Sequence, residues 1–255
     1  MSKVEFKGVG MKYHTLDGET EALKDLSFAV EENEFISLIG PSGCGKSTTL
    51  SLLSGLLSPT EGKVIINGQE IEGINKRVGY MLQEDYLFPW RSILDNVLLG
   101  LEIKGELNSK TRNKAKQLLK DYGLDDFEGH YPEQLSGGMR QRVALARTLA
   151  IEPDILLLDE PFSALDYHTK LALEDEVAQI LREEKKTVIL VTHDIAEAIA
   201  MSDRVLVFTG RPGRIKREYK INLSIDGNFS TFKARESTEF SSYFNSMWEE
   251  LDIYV

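Results

Sequence analysis

The chain has 255 residues, 42% of them hydrophobic, and 30 basic against 41 acidic side chains give a formal charge of −11. That length can bury a sizeable core, as one large α/β domain or as a core with a subdomain. The acidic balance argues against nonspecific adhesion to nucleic acid or anionic lipid, and the longest apolar runs, such as Ile155–Leu158 and Val205–Phe208, fall far short of the ~20 residues that cross a bilayer. The N-terminus, MSKVEFKGVG, lacks the apolar centre of a signal peptide, and the single cysteine, Cys44, points to a reducing, cytosolic setting.

Residues 3–9 and 22–39 carry short alternating or apolar runs between turn residues, which predicts strands. ISLIG (36–40) reads as a buried strand feeding a glycine-rich loop, and STTLSLLSGLL (47–57) as the helix after it. GKVIING (62–68) and KRVGYML (76–82) read as further strands. From about Leu87 to Leu149 the pattern turns helical, and KTRNKAKQLLKDYGL is its clearest amphipathic stretch. DILLLDEP (154–161), KTVILVTH (186–193) and DRVLVF (203–208) are buried strands separated by helical patterns, which predicts a parallel sheet. Near the C-terminus, EFSSYFNSMWEEL sets Phe240, Tyr243, Phe244, Met247, Trp248 and Leu251 on one helical face. That face predicts either docking on the chain's own core or a dimer or regulatory contact. The whole reads as an α/β core interrupted by a helical insertion.

Gly40, Pro41, Ser42, Gly43, Cys44, Gly45, Lys46 and Ser47, followed by Thr48, fit the pattern G-x-x-x-x-G-K-[ST] between a strand and a helix. Glycines let backbone N–H groups wrap phosphates without Cβ clashes, and the helix start favours the anion. Lys46 suits the β- and γ-phosphates, and Ser47 offers a hydroxyl to Mg²⁺. Cys44 lies beside Lys46 and a helix start, both of which favour the thiolate.

Asp159 and Glu160 end a buried apolar strand, at the edge of a sheet where ligands bind. Asp159 suits Mg²⁺, directly or through water, and Glu160 suits the general base that orients an attacking water. His193 ends the strand VILVT and is either a γ-phosphate sensor or a structural histidine. Gln83 follows VGYML and reaches either Mg²⁺ or the lytic water, or is a solvated polar residue. Tyr13 either stacks on adenine, a contact worth about 1–3 kcal/mol, or joins the core. A second phosphate grip then appears: Ser136, Gly137 and Gly138 stand directly before an apolar-periodic helix in LSGGMRQRVALARTL.

The ordered set of Tyr13, GPSGCGKST, Gln83, LSGGMRQR, ILLLDEP, SALD and His193 resembles the ATP-binding subunits of ABC transporters, from Val4 to about Arg217. The resemblance implies an α/β P-loop NTPase with a mixed or parallel sheet and an N-terminal antiparallel β subdomain. The core would be residues 1–86 and 153–220, with a helical subdomain over about 87–152 and a helical tail over about 221–255. It implies an ATPase using ATP and Mg²⁺, with two copies paired head to tail. Ser136, Gly137 and Gly138 would then grip the partner copy's ATP, with Asp166 of SALD at the seam.

Two departures are small: Met139 replaces the family's glutamine, and Asn33 in ENEF replaces a glycine but tolerates the left-handed turn. EDYLFPWRSILDNV (84–97) and TGRPGRI (209–215) resemble the importer branch for nitrate, sulfonates, taurine and thiamine-precursor pyrimidines. That implies a separate membrane permease, whose helix meets Phe88, Pro89 and Trp90. It also implies a periplasmic or lipoprotein solute-binding protein, and a peripheral place on the cytoplasmic face of the membrane. The plain alternative for FPW is internal hydrophobic packing. Other members of the family act on nucleic acid or translation, or as exporters or lipid handlers. The acidic charge and the lack of a coiled-coil insertion or a second ATP module set the nucleic-acid class aside.

Overall fold

The computed structural model describes residues 2–15, 18–163 and 165–251. Ala164 of the SALD stretch and residues 252–255 of the tail lie outside the described residues. In chain order the chain forms β1 (Ser2–Thr15), β2 (Gly18–Glu31), β3 (Phe35–Ile39), α1 (Lys46–Ser54), β4 (Glu61–Ile66) and β5 (Gln69–Glu70). Then come β6 (Val78–Met81), α2 (Ile93–Lys104), α3 (Ser109–Asp121), α4 (Gly137–Ala150), β7 (Ile155–Asp159) and α5 (Tyr167–Glu183). The chain closes with β8 (Thr187–Val191), α6 (Ile195–Met201), β9 (Arg204–Phe208), β10 (Ile215–Lys220), α7 (Thr231–Glu236) and α8 (Phe240–Glu250). Two compact bodies result: residues 1–75 with 171–255, and residues 76–170.

In the first body, β1 pairs antiparallel with both β2 and β4, and β4 with β5, giving a four-stranded sheet in the order β2-β1-β4-β5. A second set of strands centres on β3, which runs parallel to β8 and β9, while β10 joins β9 antiparallel. Every residue of β3 and β8 is buried. This is why ISLI and TVILV read as unbroken apolar runs rather than as alternation: both faces are covered. Asn33 sits at φ 63 in the turn before β3 and donates its backbone N–H to Thr187 Oγ1 at 2.9 Å. The asparagine therefore adopts the left-handed turn expected of it.

The C-terminal helix docks on its own body. Met247 is fully buried among Ile39, Ile195, Ile199 and Val207, with Phe240, Tyr243 and Phe244 packed beside it, while Trp248 remains half exposed. Truncation after Thr238 is therefore expected to cost at least the roughly 2–5 kcal/mol that removing one buried methionine side chain costs, read as a fall in melting temperature. An unchanged melting temperature would assign the helix a purely regulatory contact.

In the second body, β6 and β7 pair in parallel, α2, α3 and α4 pack on one another, and Leu98, Leu101, Leu119, Leu124, Val143 and Ala146 are buried. Each helix starts on a side-chain cap: Ser92 Oγ accepts from the Asp95 N–H, Asn108 shares a capping box with Thr111, and Ser136 caps α4. The 87–152 stretch lies within this body, together with β6, β7 and the start of α5. Among the described residues no helix is long and apolar enough to cross a membrane.

Candidate functional site

In the first body, the loop between β3 and α1 is built for an anion. Gly45, the N-cap of α1, takes φ 101, and a Cβ there would stand 2.5 Å from Leu23 Cδ2, so only glycine fits. No side chain caps α1, which leaves the helix start to a ligand. Lys46 is 7% exposed, and its Nζ folds over the loop to donate to the carbonyls of Gly40 at 2.8 Å and Pro41 at 3.1 Å. An ammonium held on two carbonyls beside a bare helix start fits a nucleotide's phosphates. Pro41, Ser42, Gly43 and Ser47 are exposed along the loop.

Thr48 joins Tyr13: the two hydroxyls lie 3.1 Å apart. Tyr13 is 36% exposed, so it is not a core residue. His193 is exposed just beyond β8, while its neighbour Asp194 caps α6 by accepting from the Ala196 and Glu197 N–H groups at 2.8 and 3.2 Å.

Cys44 corrects the sequence reading. Its side chain is buried, and burial pushes the thiol up even though the Lys46 ammonium nearby pulls the other way. Desolvation of the thiolate outweighs one adjacent cation, so the environment disfavours the thiolate that local sequence favours.

The TGRPGRI stretch, read from sequence only as a branch marker, supports this loop. The Gly213 N–H donates to the Ala22 carbonyl at 2.8 Å, and Lys24 donates back to Gly213 at 3.1 Å. Arg211 Nε donates to the Gly43 carbonyl at 3.2 Å. A Cβ on Gly213 would lie 1.9 Å from the Cys44 carbonyl oxygen. The only sequence signal for this support is the pair of glycines in GRPG.

The second body holds the carboxylates. Asp159, at the end of β7, is 6% exposed, and Tyr80 on β6 donates its phenol O–H to Asp159 Oδ2 at 3.2 Å. Glu160 follows at φ 47, a left-handed conformation that costs a residue with a side chain about 1–2 kcal/mol. Ser163 holds the turn, its N–H and hydroxyl both donating to the Glu160 carbonyl at 3.2 and 2.9 Å. Strain of this kind collects at functional sites. Gln83 Nε2 donates to Glu160 Oε2 at 3.2 Å. Among the described residues no group of three or more His, Cys, Asp or Glu side chains could hold a metal. A single buried carboxylate such as Asp159 fits Mg²⁺, which takes one or two carboxylates plus substrate phosphates rather than a full protein cage.

Ser136 caps α4, its Oγ accepting from the Met139 N–H at 3.3 Å. The serine's own hydroxyl proton still has a donor's freedom. Gly138 packs closely: a Cβ there would lie 3.1 Å from Thr169 Cγ2. Asp166 Oδ1 accepts from the Thr169 N–H at 3.2 Å, and bonds from Thr169 hold its carboxyl below the usual range. Gly137 begins α4 between Ser136 and Gly138.

The FPW stretch is organised by a residue that sequence reasoning missed. Asn96 is fully buried: its Oδ1 accepts from the Phe88 N–H at 2.7 Å, and its Nδ2 donates to the carbonyls of Phe88, Arg91 and Ser92. That presents Pro89 and Trp90 outward, with Trp90 72% exposed and its ring 5.0 Å from Phe88. Internal packing of the tryptophan is therefore ruled out. Arg140 adds a link, donating to Asp85 Oδ2 at 2.9 Å and to the Leu135 carbonyl at 2.8 Å. It ties the segment after Gln83 to the residue before Ser136.

Comparison with known proteins gives the family. The model of the ABC transporter family matches residues 23–163. The uncharacterized ABC transporter ATP-binding protein YtlC of Bacillus subtilis (strain 168) is 49% identical over 99% of this chain and 96% of its own length. The taurine import ATP-binding protein TauB of Ruegeria pomeroyi is 41% identical over 87% of this chain and 83% of its own. The dimeric post-hydrolysis structure of the ATP-binding cassette MJ0796, bound to ADP and Pi, aligns with a TM-score of 0.76 at 37% identity, covering 86% of this chain and 99% of that one. With the phosphate loop, the strand-end carboxylates and the LSGG helix all in place, this chain belongs to the ABC transporter family as an ATP-binding, ATP-hydrolysing member.

Proposed function

We propose that the chain powers a membrane importer, by ATP-driven pairing of two copies against a separate permease. Lys46 and the N–H groups of residues 40–48 take the phosphates, and Tyr13 stacks on the adenine. Ser47 and Asp159 hold Mg²⁺, which when bound neutralises charge on the phosphates. Glu160 accepts the proton of the attacking water, Gln83 orients that water or the metal, and His193 senses the γ-phosphate. Ser136 with Gly137 and Gly138 grips the nucleotide of the second copy, and Asp166 lies at that seam.

The observation that carries this reading is the hydrogen bond from Gln83 to Glu160. It links the proposed base to the segment that ends in the Phe88-Pro89-Trp90 turn, with Pro89 and Trp90 exposed, so a change at the carboxylate can be felt where a permease would dock. The cargo is a small anion or organic solute of the nitrate, sulfonate, taurine or pyrimidine kind, as the name of the taurine-import relative supports. A solute-binding protein would deliver it from outside, the ATPase sitting peripherally on the inner face of the membrane. Nucleic acid is not a partner in this reading.

Trp90→Ala tests it. With 72% of its surface exposed, Trp90 adds little to folding, so the melting temperature should hold within the few tenths of a kcal/mol usual for surface changes. Copurification with the permease should weaken by about 2 kcal/mol or more, the loss expected of a central aromatic anchor, and transport should fall with it. Retained permease binding would remove this turn from the coupling role.

A further inference from the structure

We infer that Tyr80 is a positioning residue for the metal-binding carboxylate, an inference that rests on the proposed role of Asp159 toward Mg²⁺. In the parallel pair, Tyr80 is the register partner of Leu157. Paired residues point to one face, and the side-chain period along a strand is two, so Asp159 shares the face of Leu157 and Tyr80. The tyrosine ring spans that step and brings its phenol to Asp159 Oδ2 at 3.2 Å. On the other face β6 packs closely, since a Cβ on Gly79 would lie 2.9 Å from Pro153.

Chemically, a phenol donating to an ionised carboxylate makes a charge-assisted hydrogen bond. It commits part of one oxygen's capacity and restrains the plane of the carboxylate. A phenylalanine would fill the same space without that constraint. Partners of this kind orient a ligating group, and losing one typically weakens metal binding by about 10–100-fold.

The test compares wild type, Tyr80→Phe and Asp159→Asn by the binding of a fluorescent ATP analogue, first in EDTA and then across a Mg²⁺ titration. Tyr80→Phe is expected to keep the metal-free affinity and to need about tenfold more Mg²⁺ for half-maximal tightening. Asp159→Asn should shift the titration further. A Tyr80→Phe titration that overlays wild type while Asp159→Asn shifts would overturn the inference and leave the reading of Asp159 standing. If neither variant shifts, both fall. A loss of metal-free affinity in Tyr80→Phe also overturns it, because the hydroxyl would then support the fold rather than the metal.

Discussion

Glu160→Gln should bind ATP as the parent does and hydrolyse it about 10²–10⁴-fold more slowly, the usual cost of losing a general base. The substitution isolates proton acceptance from everything else at this position. Glutamine is close to glutamate in shape, so the left-handed turn at φ 47 keeps the same side-chain bulk. The two bonds from Ser163 go to the backbone carbonyl and are untouched. The side-chain carbonyl of glutamine can still accept from Gln83, which keeps the segment leading to Phe88 in place. What disappears is an oxygen basic enough to take a proton from water. With turnover blocked, an ATP-held pair of copies should accumulate, visible as a nucleotide-dependent dimer on a sizing column. Near-normal turnover would take Glu160 out of the base role, and slow turnover with weakened ATP binding would point to a damaged loop instead.

The parts legible in the sequence were those whose chemistry fixes residue type and spacing together. A buried strand reads as an unbroken apolar run, and a phosphate loop needs glycine where φ is positive, so β3, β7, β8 and residues 40–48 stood out. β10 did not, because IKREYK lies at an edge with most of its side chains exposed, and an exposed edge imposes little apolar pattern. Asn96 was invisible for a different reason. A lone asparagine in a helical stretch reads as solvated, and the chain before its helix, at Phe88, Arg91 and Ser92, supplies the four bonds that satisfy it. The left-handed Glu160 was hidden too, since a turn closed by bonds from Ser163, three residues on, holds a backbone that glutamate disfavours. Cys44 shows the opposite failure: local sequence favoured a thiolate, and burial reversed it.

Lys46→Ala and Ser136→Ala should both stop hydrolysis, but at different steps. In its proposed role Lys46 gives a charged donor to the phosphates, and such bonds are worth about 1.5–3 kcal/mol, so its loss should weaken ATP binding by one to two orders of magnitude. Ser136→Ala should leave ATP binding to a single copy unchanged if, as proposed, the nucleotide it grips belongs to the partner. It does remove the cap on α4, where the hydroxyl accepts from Met139 at 3.3 Å, a cost of about 1 kcal/mol in stability. Ser136→Asp separates the two effects. Aspartate caps a helix as well as serine does, so stability should return, yet its charge repels a phosphate and hydrolysis should stay off. Mixing Lys46→Ala with Ser136→Ala then gives the decisive measurement. The proposed head-to-tail pairing would join Lys46 of one variant to Ser136 of the other, rebuilding one intact site per mixed pair. Hydrolysis that reappears in the mixture, below the parent rate, supports sites shared between copies. A mixture as inactive as its components, in which mixed pairs demonstrably form, means that both sites must be intact for turnover. Loss of ATP binding by the Ser136→Ala monomer would overturn the assignment, since the serine would then serve the nucleotide of its own chain.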